Sequence, residues 1–137
     1  MFRGGIEIMK LTGRKIFKGK ISGEALVSSD SISFYGGVDP DSGVIVEKGH
    51  NLEGQSVTDK ILVFPSGKGS TVGSYVLYQM AKTNKGPKAL VLHDCEAIVA
   101  VGCIISEIPC IDQIDISQIS TGMNITVDAD NKTVTIE

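Results

Sequence analysis

The sequence predicts one α/β domain with a mixed sheet and a central parallel strand–loop–helix–strand unit. The chain has 137 residues, which is enough for one ordinary domain and too few for two. Two short apolar runs are each followed by a helical pattern, and right-handed crossovers would make such strands parallel. β-rich segments flank this centre on both sides, so we expect residues 1–137 to form a single mixed α/β or β/β/α layered domain.

The first sixty residues are rich in strand-forming side chains. Residues 13–29 place β-branched and apolar residues between glycines, which predicts two short strands around Gly19 to Gly23. Glycines and a proline between residues 36 and 43 indicate turns. Residues 43–47, GVIVE, predict a further strand.

The centre of the chain predicts a buried strand, a glycine-rich loop and a helix. Residues 59–65, DKILVFP, fit a buried strand because four consecutive apolar residues leave no polar face. Apolar residues between 72 and 80 then recur at helical spacing. Ser70 or Thr71 is the candidate helix cap, and the Gly-Pro pair at 86–87 is the predicted end.

The second half repeats this pattern and ends in a hairpin. Residues 88–94 predict a second buried strand, and residues 95–106 predict a short apolar helix with Asp94 as a candidate cap. Residues 108–114 predict a third short strand. Residues 123–137 alternate, break at a polar turn and alternate again, which predicts a terminal β-hairpin.

The composition argues against several classes of function. A net charge of −3 does not favour a nucleic-acid-binding surface, and 5% aromatic residues with no tryptophan do not favour base stacking. No apolar run approaches the ~18 residues of a membrane span. The N-terminus does not have the form of a signal peptide. We therefore expect a cytoplasmic protein with neither nucleic acid nor membrane as a partner.

The cysteines and acidic pairs do not predict a metal site. Cys95, Cys103 and Cys110 are separated by seven and six residues, unlike the pairs of zinc motifs. We expect buried or partly buried thiols, and no iron–sulfur cluster bound by this chain alone, since clusters usually take four thiolates. Asp39 and Asp41 have no further ligands at EF-hand spacing.

The glycine-rich loop has the composition of an anion site. Gly67, Gly69 and Gly73 permit backbone conformations and close approaches that are barred to other residues. N–H groups at the start of the following helix, together with the helix dipole, favour a negative charge. Lys68 adds a full positive charge, so a carboxylate or a phosphate is the expected ligand.

Known loop motifs do not match. A Walker A loop needs Ser or Thr after its lysine and a glycine where Leu62 stands, whereas Lys68 is followed by Gly69. The glycine spacing G-x-G-x-x-x-G departs from the dinucleotide fingerprint, and too few residues follow it for a doubly wound sheet. A nucleophile elbow around Ser70 is absent, because Lys68 and Val72 occupy its glycine positions.

Two roles for Ser70 remain open from the residues alone. A serine Oγ beside a cation and several N–H donors can have its alkoxide stabilised and act as a base, given an acidic C–H and a second chain. Alternatively, Ser70 only caps the helix, which contributes ~1 kcal/mol. Spacing alone favours the cap. His50 and His93 stand alone in the sequence, and lone histidines are more often structural.

Several motifs in order resemble the small subunit of the aconitase-X family, the swivelling domain of aconitase-like hydro-lyases. They are G-G-V-D-P at residues 36–40, then His50, then G-Q-S at residues 54–56, then F-P-S-G-K-G-S-T-V-G-S at residues 64–74. The resemblance covers residues 10–137. It implies a swivelling β/β/α domain. It also implies a hydro-lyase that removes water from (R)-5-phosphomevalonate to give trans-anhydromevalonate 5-phosphate, in a modified mevalonate route to isoprenoids.

The same resemblance implies the roles of individual residues. Ser70 would take the proton next to a carboxylate, and Gly67, Lys68, Gly69 and Thr71 would bind the small phosphorylated carboxylic acid. The family often has arginine at the position of Lys68; lysine keeps the charge but lacks the bidentate fork. The turn at residues 35–40 is as compatible with a structural role as with lining the cleft.

The resemblance also implies a partner. A large subunit would carry a [4Fe-4S] cluster that acts as Lewis acid on the leaving hydroxyl, and this chain would be active only in that heteromer. Two alternatives stay open: another aconitase-X hydro-lyase, such as a hydroxyproline dehydratase, or a non-catalytic anion-binding interaction module.

Overall fold

The computed structural model describes residues 8–137. In chain order its elements are β1 (Met9–Thr12), β2 (Arg14–Phe17), β3 (Lys20–Val27), α1 (Phe34–Gly37), β4 (Val38–Asp39), β5 (Val44–Ile45), β6 (Ile61–Phe64), α2 (Gly73–Lys82), β7 (Ala89–Leu92), α3 (Ala97–Ser106), β8 (Cys110–Asp112), a 3₁₀ turn (Ile116–Gln118), β9 (Asn124–Asp128) and β10 (Thr133–Ile136). None of the described helices has both the length and the apolar character that a membrane crossing requires.

Eight of the strands form one mixed sheet in the order β1-β10-β9-β3-β6-β7-β8-β2. The four central strands β3, β6, β7 and β8 run parallel to one another. The outer pairings, including the β9–β10 hairpin, are antiparallel. The predicted central parallel unit and the terminal hairpin are therefore confirmed.

The first two strands lie at opposite ends of this order, although Gly13 alone separates them in the chain. One extended segment thus pairs with β10 through its first half and with β8 through its second half. The Gly13 N–H donates to Lys132 O at 2.8 Å. A Cβ at Gly13 would overlap the carbonyl oxygen of Asp112. Glycine at this position lets the chain change its pairing partner from β10 to β8 while passing close to Asp112.

The central strands separate two hydrophobic cores. Side chains alternate between the faces of a strand; in β6, Leu62 and Phe64 belong to one core, and Ile61 and Val63 to the other. The first core also contains residues of α2 and α3, and the second contains residues of β9 and β10. The layers are therefore the antiparallel part of the sheet, its parallel part and the helices, which is the β/β/α arrangement that the resemblance implied.

Several predicted element ends differ from the structure. The strand predicted over residues 43–47 covers only Val44–Ile45. Helix α2 ends at Lys82 rather than at residues 86–87, because the Thr83 hydroxyl bonds the carbonyls of the last turn and Asn84 takes a left-handed φ of 61°.

The predicted cap of α3 is also wrong. Glu96, not Asp94, occupies the N-cap position of α3. The Asp94 N–H donates to Pro65 O at 3.0 Å, and its carboxylate contacts His93 and Gln113. These contacts hold Asp94 in the strand-end loop, before the helix begins.

Candidate functional site

The segments that follow the parallel strands meet at one edge of the sheet. Residues 28–33 follow β3, residues 65–72 follow β6 and residues 93–96 follow β7. In open α/β sheets, ligands bind outside the carboxyl ends of the strands. The glycine-rich loop therefore lies where the architecture favours a site.

Backbone pairing fixes the first half of the loop. The Ile32 N–H donates to Ser66 O at 3.1 Å, and the Lys68 N–H donates to Ile32 O at 3.0 Å. These bonds extend the β3–β6 ladder beyond the strands. The hydroxyls of Ser31 and Ser66 lie 2.9 Å apart. The loop is thus anchored up to Lys68 and leaves the ladder after it.

The three loop glycines have different roles. Gly67 is buried, and a Cβ there would overlap the carboxylate of Glu96 and a methyl group of Val99. Gly69 has a φ of +95°, and a Cβ there would lie 2.5 Å from Ser33 Oγ. Gly73 has only ordinary contacts at 3.7 Å or more. The structure therefore requires glycine at Gly67 and Gly69 and does not require it at Gly73.

Ser70 lies exposed at the tip of the loop. Its Oγ accepts a hydrogen bond from the Val72 N–H at 3.1 Å, and its carbonyl accepts the Gly73 N–H at 3.0 Å. Val72 occupies the N-cap position of α2, so the predicted cap, Ser70 or Thr71, is wrong. The Ser70 side chain nevertheless bonds an amide of the turn that leads into the helix. Over residues 8–137 the Ser70 hydroxyl donates to no other group, so its proton is available.

The amides that can receive an anion belong to the loop. The N–H groups of Val72, Gly73 and Ser74 are bonded within residues 70–74. Within the part of the chain that the structure describes, the N–H groups of Gly69, Ser70 and Thr71 make no hydrogen bond. The N–H groups that are free to bind an anion therefore precede the helix, whereas the sequence analysis expected them at its first residues.

Lys68 is paired with an acid that the sequence analysis did not single out. Its Nζ lies 2.8 Å from Glu47 Oε2, and the two side chains are 45% and 32% exposed. Glu47 precedes Lys68 by 21 residues and follows β5. Its position between two motifs of the resemblance was the only signal, because no periodic pattern links it to the loop.

His50 is structural, as its isolated occurrence suggested. It is buried, its Nδ1 accepts the Leu52 N–H at 3.0 Å, and its Nε2 lies 2.9 Å from Ser31 O. Since Nδ1 accepts, the proton belongs on Nε2. His50 therefore holds the backbone that in turn holds the glycine-rich loop. His93 is exposed and its Nδ1 lies 2.9 Å from Asp94 Oδ2.

Asp39 organises a turn rather than a metal site. Its carboxylate accepts hydrogen bonds from the Asp41 N–H at 3.0 Å and the Ser42 hydroxyl at 2.9 Å. The side chain of Asp39 thus satisfies the local backbone, as acidic residues commonly do in turns.

The three cysteines meet in the first core although they are separated in sequence. Cys103 and Cys110 are buried and Cys95 is half-buried. Hydrogen bonding with Cys103 and Cys95, together with burial, raises the pKa of the Cys110 thiol well above its ordinary value. Across residues 8–137, no three His, Cys, Asp or Glu side chains are arranged to hold a metal ion. The described side chains therefore do not fit an iron–sulfur cluster.

An apolar groove adjoins the loop. It lies between α2 and α3, has a volume of about 390 Å³ and includes Thr71, Val72, Tyr75 and Val101 in its lining. Tyr75 is 68% exposed. The loop thus stands beside apolar side chains that face solvent in the isolated chain.

The β/β/α layers and the exposed serine loop at their carboxyl edge place this chain among the swivelling domains of aconitase-like proteins. More narrowly, the chain belongs to the aconitase X swivel domain family, whose sequence profile matches residues 10–136.

Similar proteins support this assignment. The chain is 54% identical over 128 residues to the phosphomevalonate dehydratase small subunit of Thermococcus kodakarensis, covering 93% of this chain and 96% of that one. It is 55% identical over 129 residues to the small subunit of the same name from Thermococcus sibiricus, covering 94% and 99%. The crystal structure of Thermococcus kodakaraensis aconitase X in its holo-form has a TM-score of 0.93 at 53% identity, covering 94% of this chain and 98% of that one.

Proposed function

We propose that this chain is the small subunit of a phosphomevalonate dehydratase, a hydro-lyase that converts (R)-5-phosphomevalonate to trans-anhydromevalonate 5-phosphate. The observation that carries the proposal is the identity above 50% to small subunits of that name over almost the whole of both chains. Under this proposal, Ser70 is the proton acceptor and the chain is active only with its large subunit.

The environment of Ser70 supports a role as base. Dehydration requires removal of a carbon-bound proton beside a carboxylate, so the base must be exposed to substrate and its charged form must be stabilised. Ser70 is exposed, and the Val72 N–H already points at its Oγ from 3.1 Å. A hydrogen bond to the charged form favours that form. The same bond that shapes the turn would therefore stabilise the alkoxide.

The substrate anion is assigned to the loop amides and Lys68. The N–H groups of Gly69, Ser70 and Thr71 are unbonded within residues 8–137, and the residue before them, Lys68, supplies a positive charge. Preorganised donors of this kind bind an anion without reorganisation. Gly67 is buried, so its part in substrate binding is to let the loop pack closely against α3.

The large subunit is assigned the iron–sulfur cluster, proposed to be of the [4Fe-4S] type, because the described residues of this chain do not fit one. The apolar groove beside Thr71 supports a partner that covers the loop. Three unpaired thiols are typical of a reducing compartment, which supports a cytoplasmic location.

The proposal is tested by co-expression with a large subunit from the same organism. We expect a brown complex that dehydrates (R)-5-phosphomevalonate. Ser70→Ala should leave assembly intact and lower turnover ~10²–10⁴-fold, the usual value of a positioned base. Ser117→Ala, which removes a hydroxyl bonded only to Asp115, is the control and should keep full activity.

Two results would count against the proposal. A complex that acts on hydroxyproline but not on phosphomevalonate would assign the chain to a sister enzyme. Normal turnover by Ser70→Ala would remove the base from this subunit.

Lys68→Ala tests the anion site separately. Loss of a substrate contact made equally in the ground state and the transition state raises KM and leaves kcat unchanged. We expect that pattern in steady-state kinetics; an unchanged KM would show that Lys68 does not contact substrate.

A further inference from the structure

We propose that Glu47 is a positioning residue that holds Lys68 in place for the substrate anion. The inference rests on the proposed function, because it assumes that Lys68 binds substrate. It adds a residue from outside the loop to the site. Its basis is the 2.8 Å ion pair between Lys68 Nζ and Glu47 Oε2.

Glu47 stands on ordered backbone. The preceding residue, Val46, donates its N–H to Gly37 O at 2.9 Å, and Glu47 O accepts the His50 N–H at 3.2 Å. The carboxylate packs beside Gly37, where a Cβ would lie 3.4 Å from Glu47 Oε1. The carboxylate therefore approaches the loop from a backbone that is hydrogen-bonded on both sides.

The side chain of Lys68 is less constrained than its backbone, which donates to Ile32 O. Lys68 lies between Gly67 and Gly69, its side chain is almost half exposed, and its only described side-chain hydrogen bond goes to Glu47. Lysine has a flexible four-carbon stem and loses substantial rotamer freedom when it is fixed. A carboxylate that fixes it before substrate arrives lowers the entropic cost of binding.

The pair leaves the ammonium free to act. An ammonium group has three N–H donors, and the described hydrogen bonds use one of them. The other two can reach an anion on the far side of the nitrogen. Glu47 is then separated from that anion by the ammonium itself, and salt screens the remaining repulsion between exposed charges. Positioning should therefore outweigh repulsion.

The chain provides a matched control. Lys60 Nζ lies 3.0 Å from Glu24 Oε1, with side chains 34% and 52% exposed. This pair joins β3 to the residue before β6, at the amino end of the parallel strand, away from the loop. Glu24→Gln removes an ion pair of similar exposure without touching the candidate site.

The test compares Glu47→Gln with Glu24→Gln in the assembled two-subunit enzyme, by steady-state kinetics on (R)-5-phosphomevalonate. We expect Glu47→Gln to raise KM about 3–10-fold and to keep kcat within about twofold, which is the pattern of lost ground-state binding. Glu24→Gln should change neither constant. A KM that stays the same or falls in Glu47→Gln would overturn the proposal.

A double-mutant cycle separates positioning from a general structural role. If Glu47 acts through Lys68, adding Glu47→Gln to Lys68→Met should have no further effect on KM, since residues that act as one unit are not additive. Additive effects would overturn the proposal. So would failure of Glu47→Gln to assemble while Lys68→Met assembles, because Glu47 would then have a structural role of its own.

The proposed function fails in a different way. A wild-type complex without dehydratase activity would refute the function itself, whereas an active wild type with an unaffected Glu47→Gln refutes only the role of Glu47.

Discussion

The Oγ of Ser70 accepts a hydrogen bond from the backbone N–H of Val72 at 3.1 Å, at the turn that leads into α2. The atom proposed to remove a proton from substrate is thus the same atom that satisfies the backbone of this turn. A hydroxyl oxygen has two lone pairs and one proton, so the two roles are compatible. They can also be separated by substitution.

Ser70→Asn should separate the turn contact from catalysis. An asparagine side chain can accept the N–H two residues further on, as the Ser70 hydroxyl does in this turn, but it cannot form an alkoxide. We expect the free energy of unfolding of Ser70→Asn to stay within ~0.5 kcal/mol of wild type, whereas Ser70→Ala loses one hydrogen bond, ~1 kcal/mol. Both variants should be inactive. The measurements are urea unfolding and turnover of the complex; activity in Ser70→Asn would contradict the role of the hydroxyl.

Gly69→Ala should lower the free energy of unfolding more than Gly122→Ala, a substitution at nearly the same φ. Gly122 has a φ of +94°, and a Cβ there would meet no atom within 4 Å, so Gly122→Ala measures backbone strain alone, at ~1–2 kcal/mol. Gly69, at +95°, also places a Cβ 2.5 Å from Ser33 Oγ. The Ser33 hydroxyl must move aside, which adds to the loss. Denaturant unfolding checks the difference, and Ser33→Ala in the Gly69→Ala background should recover part of it. Equal losses in the two single variants would show that Ser33 yields freely.

The cysteines should differ in their reaction with iodoacetamide. Cys103 and Cys110 are buried, and hydrogen bonding with the neighbouring thiols together with burial raises the pKa of Cys110. Only the thiolate reacts, so in the native chain at pH 8 we expect Cys95 to be alkylated alone, and all three after unfolding. Mass spectrometry of the digested protein gives the readout. Fast native modification of Cys110 would contradict its packing.

The raised pKa of Cys110 also makes a prediction for alkaline pH. As pH rises past the ordinary thiol value of 9.0, the unfolded chain loses this proton first, so stability falls. Cys110→Ala, if it folds, should remove part of that slope in thermal unfolding followed between pH 8 and pH 10.

The free energy of unfolding should fall at low pH, where the carboxylates of Asp115 and Asp128 become protonated. Hydrogen bonds from Asn131 lower the pKa of Asp128, and hydrogen bonds from Ser117 and Gln118 lower that of Asp115. Their contribution is therefore present above the ordinary value of 3.8 and is lost as pH falls below it, because the unfolded chain binds these protons first. Asp128→Asn should lower Tm at pH 7 and change it little at the acidic end of this range, which reduces the slope of Tm against pH. A steeper slope would contradict this sign.

The sequence predicts the strands best where local pattern and tertiary environment agree. Residues 61–64 and 89–92 are continuous apolar runs, and all eight are buried in parallel strands. The terminal hairpin follows from its alternation. Helix ends are predicted less well, because the end of α2 depends on Thr83 and Asn84, whose side-chain and backbone preferences are weak in isolation.

The candidate site is likewise predictable in composition but not in its tertiary contacts. The glycine-rich loop is visible as composition, but its donors depend on which N–H groups the fold leaves unbonded. Lys68 suggests a free charge in the sequence, and only the folded chain brings Glu47 to it. The association of Cys95, Cys103 and Cys110 is likewise a tertiary property, since they come from a loop, a helix and a strand.

The pairing of Met9 with Ile136 in β1 and β10 brings the first and last described strands side by side. A second polypeptide fused before β1 or after β10 would therefore be attached next to the same pair of strands. Domains with adjacent ends tolerate insertion into longer chains. A single-chain enzyme in which the proposed large subunit is fused next to β1 or β10 should thus keep the serine loop intact, whichever of the two strands carries the fusion.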